Sequence, residues 1–283
     1  MHEPANHQNP RLWLIGGTGD GLRLALALEA RGWRVLVSVV SAEAAEAYPE
    51  RPGLVLQVGP IGGSAGIRAV LEQAVNTGNS FAAVVDASHP FARQITAALA
   101  NVWACSGAQS LPPLLRLHRQ ELSEPAVPRL RPLAGLEELA HSELQGRHLL
   151  LAIGARQLRQ AVGLSPGATH HARLLTSAAA LQQGRAAGIA AERLACLRPG
   201  DPLEQPVLRA LLRRWQIDAI LCRQSGGITE RLWRSLAAEL DLELLLLRRP
   251  PEPEALRQLE LEPLLRELEV LGRAPDQLLP QSP

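Results

Sequence analysis

The sequence predicts an α/β protein of two domains, each a parallel sheet with helices wound over both faces. Three observations predict it. Short apolar runs alternate with segments of helical spacing, glycine-rich or polar loops follow the apolar runs, and a proline-rich stretch divides the alternation into two sets. The length of 283 residues suits about two domains, and 46% hydrophobic content at near-zero mean hydropathy suits globular cores.

Arg11 to Ile15 reads as a first strand, Gly19 to Arg31 as a helix carrying Leu22, Leu26 and Ala30, and Arg34 to Val40 as a second strand. A strand at Leu54 to Val58, a helix at Ala65 to Val75, a strand at Phe81 to Val85, a helix opened by Pro90 and running to Cys105, and a strand at Leu114 to Leu117 complete five parallel strands. Arg119 to Pro132, with Pro125, Pro128 and Pro132, breaks the pattern. A second alternation comes next. Its strands are His148 to Ile153, His171 to Leu175, Arg193 to Leu197, Ile217 to Cys222 and Leu242 to Leu247, and its helices are Ala155 to Val162, Ser177 to Ala187, Leu203 to Trp215 and Thr229 to Leu240. The expected organisation is a disordered 1–10, a first Rossmann-like, nucleotide-binding domain at 11–122, a Pro-rich linker at 123–132, a second Rossmann-like, substrate-side domain at 133–271 and a disordered tail at 272–283. The fold class is thus two doubly wound Rossmann-like domains with parallel sheets and a cleft between them.

Composition narrows the chemistry. A net charge of +1 argues against a nucleic-acid or anionic-membrane partner and favours small molecules. No stretch has the length and apolarity of a membrane span and Met1 to Pro10 has no apolar core, so a cytoplasmic protein is expected. All 29 basic residues are arginine, which excludes a P-loop lysine, a Schiff-base lysine and a Tyr-Lys dyad; Tyr48, the one tyrosine, also lies on the wrong loop for that dyad. Cys105, Cys196 and Cys222 lack disulfide or zinc spacing, and His170-His171 point to opposite faces of a strand, so no metal is expected.

The candidate site residues cluster after strands. Phe81 to Ala92 runs from an apolar strand through Asp86, Ser88 and His89 to Pro90, aiming helix-terminal N–H groups at the carboxyl edge of the sheet; capping alone would also account for Asp86 and Ser88. Gly16-Gly17-Thr18-Gly19-Asp20-Gly21 can bring backbone amides against a phosphate, although no frame satisfies G-x-G-x-x-G. Gly62 and Gly63 come after the third strand in the same way. The second strand ends in Ser38-Val39-Val40-Ser41 with no carboxylate at its tip, which leans towards NADP over NAD, while Glu43 lies close and no arginine stands there for a 2′-phosphate. In the second domain, Arg156-Gln157 and Arg223-Gln224-Ser225-Gly226 each place an arginine beside a glutamine after a strand, suited to clamping carboxylates or to capping helices.

Taken in order, these motifs resemble the precorrin-6A reductase family, including its cobalt-precorrin-6A members. The resemblance spans about residues 11 to 250 and is carried by Asp86-Ala87-Ser88-His89-Pro90-Phe91-Ala92, where the family has Asp-Ala-Thr-His-Pro-Phe-Ala, and by Leu114 to Leu117, Gly16 to Gly19, Gly62-Gly63, 152–158, 222–226 and Arg248-Arg249-Pro250. Cys222-Arg223-Gln224 departs from the family's Thr-Lys-Asp/Asn, and Ser38 to Ser41 lacks a Gly-Arg common after that strand. The resemblance implies NADPH-dependent reduction of a double bond in the polycarboxylated tetrapyrrole precorrin-6A, or its cobalt form, in cobalamin biosynthesis, without metal or flavin. Gly16, Gly17, Thr18, Gly19, Asp20, Ser38, Gly62, Gly63 and Ser88 are then the cofactor contacts. Asp86 and His89 are the candidates for delivering a proton, with cofactor binding the other role open to His89, and Arg116, Arg156, Gln157, Arg223, Gln224, Ser225 and Gly226 face the substrate. A non-catalytic NADP(H)-binding sensor and another nicotinamide-dependent oxidoreductase stand as alternatives. The reading is compatible with a monomer.

Overall fold

The computed structural model describes residues 9–106, 111–253 and 256–272. The expected disorder at 1–10 and 272–283 therefore lies outside the described residues, apart from Asn9, Pro10 and Gly272. The chain forms two compact units, Met1–His118 with Pro250–Pro283 and Arg119–Arg249.

In the first unit, β1 (Arg11–Ile15), β2 (Arg34–Val39), β3 (Leu54–Val58), β4 (Ala83–Asp86) and β5 (Leu114–Leu117) are joined by α1 (Gly19–Glu29), α2 (Ala42–Ala45), α3 (Gly63–Asn76) and α4 (Arg93–Cys105). Strands that alternate sides by residue must be apolar at nearly every position when both faces are covered. Leu12 and Leu14 of β1 pack with Leu24 and Leu28 of α1 on one face, while Trp13 and Ile15 pack with Ile67 of α3 and Leu99 of α4 on the other. Every strand pair is parallel.

The second unit contains β6 (Leu130–Leu133), β7 (His148–Ala152), α5 (Leu158–Leu164), β8 (Thr169–Leu174), α6 (Ala178–Ala186), β9 (Leu194–Cys196), α7 (Glu204–Arg214), β10 (Ala219–Arg223), α8 (Ile228–Glu239) and β11 (Glu243–Leu247). Leu150, Ile220, Leu244 and Leu246 bury one sheet face against Leu208 and Leu212 of α7 and Trp233 and Leu236 of α8.

After Pro250 the chain returns to the first unit. There β12 (Arg257–Leu259) pairs with β5, and α9 (Leu261–Leu271) buries Leu264, Leu265 and Leu268 beside Leu12 and Leu14. This corrects two expectations: residues 250–271 do not belong to the second domain, and the first sheet has six strands where five were expected, in the order β12-β5-β4-β1-β2-β3. The second sheet, β6-β11-β10-β7-β8-β9, is also six-stranded; its β6 begins within the stretch read as linker and ends one residue past it. Strand order reverses between β1 and β4 in one sheet and between β7 and β10 in the other, and such a reversal opens a crevice at the carboxyl edge. No helix among the described residues is long and apolar enough to cross a membrane.

Candidate active site

At the first unit's reversal point the β1–α1 loop meets the β4–α4 loop. Thr18 joins them: its hydroxyl donates to the Ala87 carbonyl at 3.1 Å and accepts the Gly21 N–H at 3.1 Å, which caps α1. Gly16 is obligatory here, because a Cβ would lie 2.6 Å from the Tyr48 hydroxyl and 2.9 Å from Val37 Cγ1. Gly17 has φ +97° and donates its N–H to that hydroxyl at 3.3 Å. A Cβ at Gly17, Gly19 or Gly63 would meet nothing within 4 Å. The loops thus hold open space against backbone, the form a dinucleotide's phosphates require at a helix N-terminus. Asp20 sits half-buried in the first turn of α1, 3.9 Å from Arg23. Gly62, at φ +88°, caps α3 without a side chain, and Gly63 begins that helix.

The β4–α4 loop differs from its sequence reading in three ways. First, Pro90 does not open α4. The Ala92 N–H bonds the His89 carbonyl at 2.7 Å, making residues 89–92 a turn with proline second, a position that its fixed φ suits, and the helix starts at Arg93. Second, Asp86 is fully buried and committed. Its Oδ1 accepts the Ser88 N–H at 2.9 Å and lies 2.8 Å from Arg116 Nη1, and its Oδ2 accepts the Thr96 hydroxyl at 2.8 Å. With both oxygens engaged and no exposed surface, this carboxyl holds the loop together and does not face a ligand. Third, Arg116 cannot await a substrate carboxylate. It is 2% exposed, its Nε and Nη2 donate to Glu252 at 3.1 and 3.0 Å, and its Nη1 also reaches Ser88 Oγ at 3.1 Å.

Ser88 is likewise buried, its amide on Asp86 and its hydroxyl on Arg116. His89 is half-buried, and its Nδ1 accepts the Phe91 N–H at 3.2 Å, so the neutral ring carries its proton on Nε2. Its ring tilts against Phe91 at 5.7 Å.

Ser38 is corrected too. Although it lies one residue before the end of β2, its hydroxyl takes the Trp13 indole N–H at 2.8 Å and donates to Gln57 at 3.0 Å, and the side chain is buried. Tyr48, Thr96 and Glu252 are the site residues that sequence reasoning missed. Tyr48 had no motif to announce it, and Glu252 lies far from its partner in the chain.

In the second unit the reversal point is closed by Arg223, whose Nη2 donates to Gln157 at 2.6 Å across the β10 and β7 loops. Arg156, on the same β7 loop, is exposed. Burial, and then the charge of Arg156, lowers the Arg223 pKa to about 10. Two guanidinium groups at one crevice favour an anion. The neighbouring residues wire the loop in place. Gln224 Oε1 accepts the Arg249 N–H at 3.2 Å, Ser225 is buried, and the Gly226 N–H donates to Glu230 at 2.8 Å. A Cβ at Gly226 would fall 2.6 Å from the Gln120 carbonyl oxygen. Gln224 Oε1, the buried Ser225 and the Gly226 amide are therefore engaged by the loop itself.

A family model described as precorrin-6x reductase CbiJ/CobK matches residues 11–267. A cobalt-precorrin-6A reductase of Synechocystis sp. is 35% identical over 246 residues, 84% of this chain and 88% of that protein. A precorrin-6A reductase of Mycobacterium tuberculosis is 29% identical over 247 residues, 86% of this chain and 90% of that protein. A solved structure titled CobK precorrin-6A reductase superposes with a TM-score of 0.73 at 24% identity, covering 94% of this chain and 98% of that one, which shows a shared fold. The chain belongs to the precorrin-6A reductase family, oxidoreductases of cobalamin biosynthesis that act on a CH–CH bond.

Proposed function

We propose that this protein reduces precorrin-6A, or its cobalt complex, with NADPH. The observation that carries the reading is the glycine-lined crevice where the Thr18 hydroxyl ties the β1 loop to the β4 loop, in a chain of this family. Gly16, Gly17, Thr18, Gly19, Gly62 and Gly63 hold the dinucleotide, with backbone approach replacing side-chain contacts. When bound, the nicotinamide supplies a hydride; the protein's part is position and exclusion of water.

Reduction of a carbon–carbon double bond also consumes a proton. With Asp86 locked by Ser88, Thr96 and Arg116, the titratable group that the β4–α4 loop offers is His89, and we assign proton delivery to its imidazolium form, which gives up the Nε2 proton and returns to the neutral ring. His89→Ala is expected to lower kcat about a hundredfold with little change in the NADPH KM, as loss of a general acid does. A raised NADPH KM at unchanged kcat would make His89 a cofactor ligand instead.

Arg156 and Arg223, with Gln157 holding the latter, take substrate carboxylates. Arg223→Gln is expected to raise the KM for the macrocycle about tenfold while the NADPH dissociation constant stays put, the size of one charge-assisted contact. No change in the macrocycle KM would remove Arg223 from the substrate side.

The deciding experiment mixes the protein anaerobically with NADPH and either precorrin-6A or its cobalt form, and tracks NADPH loss with the macrocycle spectrum. Coupled change with one form supports the reading and names the substrate. NADPH binding with neither macrocycle reduced overturns it in favour of a sensor.

A further inference from the structure

Arg116 is almost wholly buried between two carboxylates. Charge balance does not require both. Asp86, 2.8 Å from Nη1 and completely buried, already neutralises the guanidinium, so Glu252 leaves the cluster with an excess negative charge. What Glu252 adds is orientation. Its two oxygens face Nε and Nη2 as a fork-to-fork pair at 3.1 and 3.0 Å, and a planar guanidinium held on one edge has no rotation left for the opposite nitrogen. That nitrogen, Nη1, reaches Asp86 Oδ1, Ser88 Oγ at 3.1 Å and the Ser88 carbonyl at 3.5 Å, the residue beside His89.

On the C-terminal side of Glu252 the chain is anchored to the first sheet. The Leu256 N–H bonds the Pro253 carbonyl at 3.1 Å, Leu256 is buried, and β12 pairs with β5 in a register that sets Gln258 against Arg116. The segment that returns to the first unit after Pro250 thus brings a carboxylate to Arg116 of β5, whose Nη1 in turn reaches Ser88 in the loop after β4.

We infer that Glu252 is a positioning residue for the reductase, holding the Ser88–His89 turn in place through Arg116. The inference rests on the reading of this edge as the cofactor site, so its test includes a measurement that needs no cofactor. Glu252→Gln, Ser88→Ala and the double variant are made in the full chain. Amide hydrogen exchange without ligand is expected to speed up about tenfold over residues 86–92 in Glu252→Gln and to stay unchanged across β1, β2 and β3. The NADPH dissociation constant, read by nicotinamide fluorescence, is expected to rise about tenfold in Glu252→Gln, and the double variant to be no weaker than the worse single, since both changes act through one guanidinium. Unchanged exchange over 86–92, exchange raised evenly through the unit, or losses that multiply in the double variant would each overturn the inference. If exchange responds as expected while the parent protein does not bind NADPH, the positioning stands and the cofactor reading fails.

Discussion

Asp86→Ala is expected to cost about 3 kcal/mol of stability, the lower part of the range for removing one partner of a buried ion pair. Three interactions go at once: the ion pair with Arg116, the Ser88 N–H bond and the Thr96 hydroxyl bond. The Ser88 amide and the Thr96 hydroxyl are left buried without their acceptor, and each such group costs about 1 kcal/mol or more. The loss stays at the lower end because Glu252 still faces Arg116 on its other edge. Asp86→Asn keeps an oxygen for the Ser88 amide and a polar group for Thr96, so it is expected to lose about half as much. Urea unfolding of the two variants measures both. A loss near 1 kcal/mol or less for Asp86→Ala would equate this pair with an exposed salt bridge and refute its place as the keystone of the loop.

That result would also mark where sequence reading stops. The Asp-Ala-Ser-His-Pro-Phe-Ala segment located the site, since an apolar run ending in polar residues before a helix is legible from local grammar. What Asp86 does was not legible, because its partner Arg116 and that partner's partner Glu252 stand 136 residues apart. Arg116 and Ser38 were both read as ligand contacts because they lie near strand ends. The pleat turns them inward, and only the neighbouring strand says what waits there: Gln57 opposite Ser38 in one case, Asp86 opposite Arg116 in the other. By contrast β1, β3 and β5 fall on the residues expected, since each is a short apolar run with punctuation at its ends. The strand β6 was hidden by its own Pro132, which a parallel edge strand tolerates because one side of its backbone needs no partner. The three-residue β12 carries arginine and glutamine and reads as tail; along the chain, the whole second unit separates it from β5.

The second unit carries a pH liability away from the reversal point. His171 of β8 is 3% exposed and stacks between His148 at 5.5 Å and Trp215 at 4.9 Å, and neither ring nitrogen has a hydrogen-bond partner. Burial, with His148, Arg193 and His170 facing it as further positive or protonatable groups, lowers its pKa from 6.5 to about 4. In the unfolded chain the ring titrates near 6.5. Between the two values the unfolded state binds a proton that the folded state refuses, so stability must fall as pH falls. The contribution is fully present above about pH 7, declines through the window from 6.5 to 4 and is spent below it, at most about 3 kcal/mol in all. His170 has its pKa lowered as well, chiefly by burial, and pulls in the same direction. His171→Phe keeps a flat ring in the stack and cannot be charged. Its unfolding free energy is therefore expected to decline less steeply than the parent's over that window, with the residual slope left to His170 and the carboxylates. Urea unfolding at intervals from pH 7 to pH 4 reads the difference, and parallel curves for the two proteins would mean that His171 admits its proton in the folded state.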